Sequence, residues 1–265
     1  MSMTDAAWLA PVGGAVWSPR SAVTEQVWRE AMGPEYPDGL DVYSWTSRTE
    51  LEQIRGVLLH EGVGRVADLG CGSGGPGLWL SASVGADLVA VDADTTALHL
   101  AKGRAETAHR RTACLAGSFE AIPLQSNSVD AVVSIDALLF AQDKALAAAE
   151  IARVLRPGGC LVLTSWDYAR QPAGRPPQVE DHRPVLESAG LTVERYDETP
   201  DWRARQETTA RLLLERVDDL ALEGRRDAQR LREDITTMAR SFDDQSGRFL
   251  AVARRASTEA DPRRC

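Results

Sequence analysis

Val66-Ala67-Asp68-Leu69-Gly70-Cys71-Gly72-Ser73-Gly74-Gly75-Pro76-Gly77 decides how the rest of the chain is read. Its opening residues are mostly small and apolar and predict a short buried strand. The glycine cluster predicts a turn whose backbone can come close to a ligand. Pro76 suits the first position of a helix, which Leu78, Trp79 and Leu80 continue into the core. Together these make a strand, a glycine loop and a helix. That is the front of a nucleotide-type site at the carboxyl edge of a parallel sheet.

The ligand is decided by charge. Gly70, Gly72 and Gly75 satisfy the spacing of a dinucleotide fingerprint, which alone is a weak signal. Asp68, however, stands at the strand end just before the first glycine, where a pyrophosphate would meet a like charge. A cofactor with cationic groups and no phosphate suits that position, and S-adenosylmethionine carries both an ammonium and a sulfonium. The next strand, Leu88-Val89-Ala90-Val91-Asp92, ends in a second acid, Asp92, placed to take ribose hydroxyls. Two acids around one glycine loop favour the methyl donor.

Further motifs occur in order: Gly117 with Ile122-Pro123-Leu124, Ser128-Val129-Asp130-Ala131-Val132-Val133, and Arg153-Val154-Leu155-Arg156-Pro157-Gly158-Gly159. With Asp68 to Gly74 and Val91-Asp92, the chain resembles the class I S-adenosylmethionine-dependent methyltransferases. The likeness is to their small-molecule type, which methylates quinones, sterols and natural products. It extends from about residue 25 to about residue 255.

The resemblance implies an α/β fold with a Rossmann-like, seven-stranded, mostly parallel sheet of order 3-2-1-4-5-7-6 and an antiparallel last strand. It implies S-adenosylmethionine as cofactor and S-adenosylhomocysteine as product. The cofactor contacts it implies are Asp68, Gly70, Cys71, Gly72, Asp92, Ala93, Ser118, Phe119 and Asp136. Ser118 departs from the family, where an acid after the glycine accepts from the adenine amino group; Ser118, Glu120 or a backbone carbonyl would have to substitute. For catalysis it points to Asp136, at the end of the fourth strand, and to His182, in a region that passes near the acceptor. Each also has a plain reading: Asp136 as the cap of the following turn, His182 as a structural or exposed histidine.

Composition narrows the class. The 265 residues suffice for one α/β domain with an elaboration, and a 43% hydrophobic content supports a sizeable core. A formal charge of −9 argues against a nucleic-acid partner. Four cysteines without metal or CxxC spacing read as thiols in a reducing cytoplasm. With no apolar run of about 18 residues and no leader pattern, a soluble cytoplasmic protein without membrane contact is expected.

The chain divides into an N-terminal arm or cap (1–46), a core (47–255) with a helical lid (200–242), and a polar tail (256–265). Trp8, Trp17, Trp28 and Trp45 either cover an apolar or aromatic small-molecule substrate or dock the arm on the core. The segments Pro34-Glu35-Tyr36-Pro37 and Tyr43-Ser44-Trp45-Thr46 resemble the pre-core segment that closes over cofactor and substrate in the family. A helix is predicted over Glu50–Leu59, with Leu51, Ile54 and Leu58 on one face. Another is capped by Thr95 or Thr96, with Ala97, Leu100, Ala101 and Ala105 inside. Helices are also expected over Ala145–Leu155 and Val179–Leu191, the first stopped by the Arg156-Pro157-Gly158-Gly159 turn. Gly224 divides the lid into two helices, with Trp202 and Arg203 near the pocket. His99 and His109 read as surface residues.

Two rivals stand beside methyl transfer. One is a protein that keeps the fold and the cofactor but catalyses something else, such as a cyclisation, or that only binds. The other is a nicotinamide oxidoreductase, against which Asp68 and the Arg-Pro-Gly-Gly turn both count.

Overall fold

The computed structural model describes residues 22–42, 44–224 and 227–257. Trp8, Trp17, Tyr43 and Cys265, with nearly half of the arm and most of the tail, lie outside the described residues. The chain opens with α1 (Ala22–Met32) and α2 (Arg48–His60), then runs β1 (Arg65–Leu69), α3 (Gly75–Val84), β2 (Asp87–Asp92), α4 (Thr95–Thr107) and β3 (Thr112–Ala116). It continues through β4 (Val129–Ile135), α5 (Lys144–Val154), β5 (Leu155–Tyr168), α6 (Arg183–Ser188) and β6 (Leu191–Glu198). Three helices, α7 (Trp202–Glu215), α8 (Val217–Gly224) and α9 (Ala228–Arg240), precede β7 (Gln245–Arg255).

The seven strands form one sheet of order β3-β2-β1-β4-β5-β7-β6. Pairings from β3 to β5 are parallel, and β7 runs antiparallel to both β5 and β6. Small and β-branched residues let helices cover both faces. Ala67, Leu69, Val89, Val91 and Val132 enter one apolar cluster, while the alternate residues Val66, Ala131 and Val133 enter another.

A third cluster lies off the sheet. Trp28 and Met32 of α1, Trp45, Leu212 and Leu213 of α7, and Ile235 and Met238 of α9 pack together with Phe242. The Trp28 indole N–H donates to the Ser44 carbonyl at 3.1 Å, and that of Trp45 to the Thr209 hydroxyl at 3.1 Å. The segment before the core and the insertion before β7 thus share one apolar cap.

Several expectations are corrected. The cap of α4 is Asp94, whose carboxylate accepts from Thr96 and Ala97, and Leu98 is buried where Leu100 was expected. Arg156-Pro157-Gly158-Gly159 belongs to β5, which pairs from Leu155 with an irregularity opposite β4. The helix expected over 179–191 covers only Arg183–Ser188, because Pro184 in the first turn fixes its start. Among its described residues the lid holds three α-helices, since the chain breaks at Arg216 within the apolar stripe. Among the described residues, no helix is long and apolar enough to cross a membrane.

Candidate active site

The carboxyl ends of β1, β2, β3 and β4 open into a cavity of about 800 Å³. The glycine loop is pinned from below. Gly70 and Cys71 donate to the Val91 carbonyl at 2.8 and 3.1 Å, and Gly117 donates to the Asp92 carbonyl at 3.0 Å. Gly70, with φ +70°, has its missing Cβ position 2.4 Å from the Ala137 Cβ, so a side chain there would collide with the β4 exit.

Two acids face this loop. Asp92 receives the Gly72 N–H at 2.8 Å and the Asp94 N–H at 2.9 Å, which ties β2 to the glycine turn. Asp68 is 3% exposed, and among the described residues its carboxylate has neither a hydrogen bond nor an ion pair. Burial first, and then the charge of Asp92, push its pKa up to about 7. An uncompensated buried acid on a cavity wall is costly, and a cationic ligand relieves the cost. Its position depends on Gly77, where an added Cβ would lie 2.2 Å from Asp68 Oδ2. Gly77→Ala is therefore expected to displace the carboxylate and weaken cofactor binding by about tenfold, the scale of mild overpacking; calorimetric titration reads it.

All nine of the expected cofactor residues, Asp68, Gly70, Cys71, Gly72, Asp92, Ala93, Ser118, Phe119 and Asp136, line the cavity. Burial raises the Cys71 thiol, so it is no thiolate nucleophile. Glu120 also lines the cavity, but its carboxylate accepts the Gln142 and Asp143 N–H groups at 2.6 and 3.2 Å beside the start of α5. That occupation leaves Ser118 as the polar side chain where the family carries an acid.

The other half of the cavity is apolar. Trp45, Trp166, Phe242, Met238, Leu139 and Phe140 line it. Trp45 meets Trp166 and Phe242 edge-on, at 6.0 and 5.7 Å between ring centroids. Between the two halves stands Asp136, at φ +51° just past β4. Its carboxylate accepts from the Thr164 hydroxyl at 2.8 Å and from Arg248 at 2.9 and 3.1 Å.

Arg248, which is 0% exposed, was missed as a functional residue: a charged residue in an apolar strand reads as an outward-facing one. Its guanidinium also pairs with Glu50, donates to Thr199 at 2.9 Å and Thr46 at 3.2 Å, and lies over the Trp166 ring at 5.3 Å. Glu50 is held ionised below its usual range despite burial, largely by the Arg248 charge. It also closes the capping box of α2 with Ser47. One buried guanidinium thus fastens the pre-core segment, the exit of β4 and the start of the lid.

Three residues expected near the chemistry sit elsewhere. His182 does not line the cavity. Its ring is buried, with Nδ1 2.8 Å from Asp167 Oδ1 and the Phe249 ring at 5.1 Å. Asp167 accepts from Tyr196 as well, at 2.9 Å, so His182 and Asp167 anchor the start of α6 to β6. Trp202 donates to Glu198, and Arg203 to the carbonyls of Phe242 and Gln245, behind the cap. The histidine was misplaced because a buried polar network leaves no periodic trace.

Comparison with known proteins agrees with this geometry. Residues 67–163 match a family model described as a methyltransferase domain. A dimethylglycine N-methyltransferase of Parasynechococcus marenigrum (strain WH8102) is 36% identical over 113 residues, which is 36% of this chain and 40% of that protein. The chain thus spans less than half the length of this curated relative. Geranyl diphosphate C-methyltransferase from Streptomyces coelicolor A3(2) superposes with a TM-score of 0.63 at 16% identity, over 94% of this chain and 98% of that one. The cyclase SpnF superposes with a TM-score of 0.69 at 19% identity, over 89% and 93%. Residues 67–163 thus match a methyltransferase domain, and the fold around them is the one shared by these solved structures.

Proposed function

We propose that this chain transfers a methyl group from S-adenosylmethionine to an apolar or aromatic small molecule. The observation that carries the reading is the buried, uncompensated Asp68 carboxylate beside a glycine loop that opens onto an aromatic chamber. The cofactor, when bound, supplies an activated methyl group on a sulfonium. Asp68, Gly70, Cys71 and Gly72 would hold its amino-acid end, Asp92 and Ala93 its ribose, and Ser118 and Phe119 its adenine. These residues bind and orient; Trp45, Trp166 and Phe242 exclude water. Holding donor and acceptor in line can contribute roughly 7–11 kcal/mol without a covalent catalyst.

Asp136 fits an anchoring role better than that of a general base. Burial raises its pKa while Arg248 draws it back, and both its oxygens are engaged. His182, shut away from the cavity, is not proposed as a base. Asp136→Asn is expected to lower turnover without shifting its pH profile; a lost alkaline plateau would assign proton abstraction to Asp136. A cytoplasmic setting in natural-product chemistry completes the proposal, supported by the free thiols Cys71, Cys114 and Cys160 and by the apolar chamber.

The test uses the sign of the Asp68 shift. A carboxyl group raised to about 7 is protonated in the free protein below that pH, and a cation must expel the proton to bind. Affinity for S-adenosylmethionine should rise about tenfold per pH unit up to about pH 7. It then levels, and it falls once the ligand's own α-amino group deprotonates, near pH 8. Asp68→Asn should bind weakly with a flat acid limb. A flat wild-type profile from pH 5 to 7 would contradict the role given to Asp68, and a product gaining no methyl mass would favour cyclisation on the same fold.

A further inference from the structure

We infer that Lys144 is a positioning residue: its ammonium joins a strap over the aromatic chamber to the chamber wall, and so limits how fast aromatic molecules enter and leave. The inference rests on the reading of that chamber as the acceptor's. Lys144 opens α5, where a cation meets the positive end of a helix, and it is only 5% exposed. Both placements are costly, so its bonds must offset them. Nζ donates to the carbonyls of Leu139, Ala141 and Pro177 at 3.2, 2.7 and 2.8 Å, which occupies all three of its N–H groups.

Two of those carbonyls belong to the wall and one to the strap. Leu139 and Ala141 line the cavity from the turn after β4, and Gly174, Pro176 and Pro177 line it from the strap. Residues 174–177 form neither helix nor strand. Pro176 and Pro177 carry no N–H, so the strap is held there by donors that reach its carbonyls. The Gln178 side-chain amide supplies a second tie, to the Pro176 and Leu139 carbonyls at 2.8 and 2.9 Å. That tie is neutral. The lysine's is charge-assisted, roughly twice as strong, and depends on a proton.

Burial pushes the Lys144 pKa down to about 8, while the charges of Glu120 and Asp143 draw it back up. Glu120 accepts the Gln142 and Asp143 N–H groups, and Asp143 caps α5 through the Leu146 N–H at 2.9 Å. The strap's own cation, Arg175, donates to the Tyr168 and Ser241 hydroxyls within reach of the Asp244 charge. Below about pH 8 the ammonium holds all three carbonyls. Above it, a neutral amine has two N–H groups for three carbonyls, and the strap loosens.

The test follows entry and exit of N-phenyl-1-naphthylamine, a neutral aromatic fluorophore, by stopped-flow fluorescence. It is run from about pH 6.5 to about 9.5, with and without saturating S-adenosylhomocysteine. In the wild type both rate constants should rise about tenfold as pH climbs through about 8, the scale of one lost hydrogen bond to a charged group. Lys144→Met should be fast at every pH, and Lys144→Arg, which stays charged, slow at every pH. S-adenosylhomocysteine affinity should be unchanged in both. Flat rates in the wild type, a pH step that survives in Lys144→Met, wild-type rates at neutral pH in that variant, or no saturable binding of the fluorophore overturns the inference. Where Lys144→Met fails to fold, the wild-type profile and Lys144→Arg decide. Failure of the wild type to bind S-adenosylhomocysteine would instead sink the methyltransferase reading, which the ligand-free rates keep separate.

Discussion

Asp92→Ala should lower the affinity for S-adenosylmethionine by about a hundredfold or more. The carboxylate holds the Gly72 and Asp94 N–H groups at 2.8 and 2.9 Å, so its loss unpins the glycine turn as well as removing acceptors for the ribose. Hydrogen bonds to a charged group contribute roughly 1.5–3 kcal/mol each, and losing two comes to about 3 kcal/mol or more. That corresponds to the hundredfold change. Asp92→Asn keeps one acceptor oxygen and should fall between. Calorimetric titration measures both, with the thermal midpoint of the free protein as the control for folding. An affinity within about threefold of wild type would place the ribose elsewhere.

Arg248→Met should be the most destabilising single change in the core. It leaves Glu50 and Asp136 buried without their shared counter-charge, and it strips donors from Thr46 and Thr199. Breaking a buried pair from one side costs about 3–5 kcal/mol, against a total stability of about 5–15 kcal/mol. Combining it with Glu50→Gln and Asp136→Asn removes the stranded charges and should recover much of the loss. Urea unfolding measures the series. The sign of its pH dependence is a second check. Without the guanidinium, both carboxyl groups should take up protons more readily when folded, so the single variant should gain stability as pH falls from 7 toward 5. A single variant that unfolds like wild type would show that the cap is held by its apolar packing alone.

The half of the cavity proposed to hold the cofactor was legible in the sequence because each part has a local cause. Small apolar residues make β1, glycines make the turn, and Pro76 starts α3, all within one short stretch. The spacing of Asp68 and Asp92 carries directly into the parallel register of β1 and β2, where Asp68 lies opposite Ala90 and Leu69 opposite Val91. The apolar half was not legible in the same way. Arg248 meets Glu50 across 198 positions and Asp136 across 112, and no periodicity reports such a contact. Trp45 was suspected of either covering a substrate or docking the arm; it lines the cavity while its N–H bonds α7. The break at Arg216 carries no glycine or proline, so it left no mark on the lid sequence.

The proposed role of the glycine loop and its two acids is to hold a cationic, phosphate-free cofactor. Calorimetric titration of the protein with S-adenosylmethionine and S-adenosylhomocysteine, set against NADH and NADPH, tests it most directly. Saturable micromolar binding of the first two, on the order of −8 kcal/mol, is expected, and no binding of the nicotinamides. Binding of NADH or NADPH with neither sulfur ligand bound would contradict it, because a pyrophosphate would then be seated beside the buried Asp68 carboxylate.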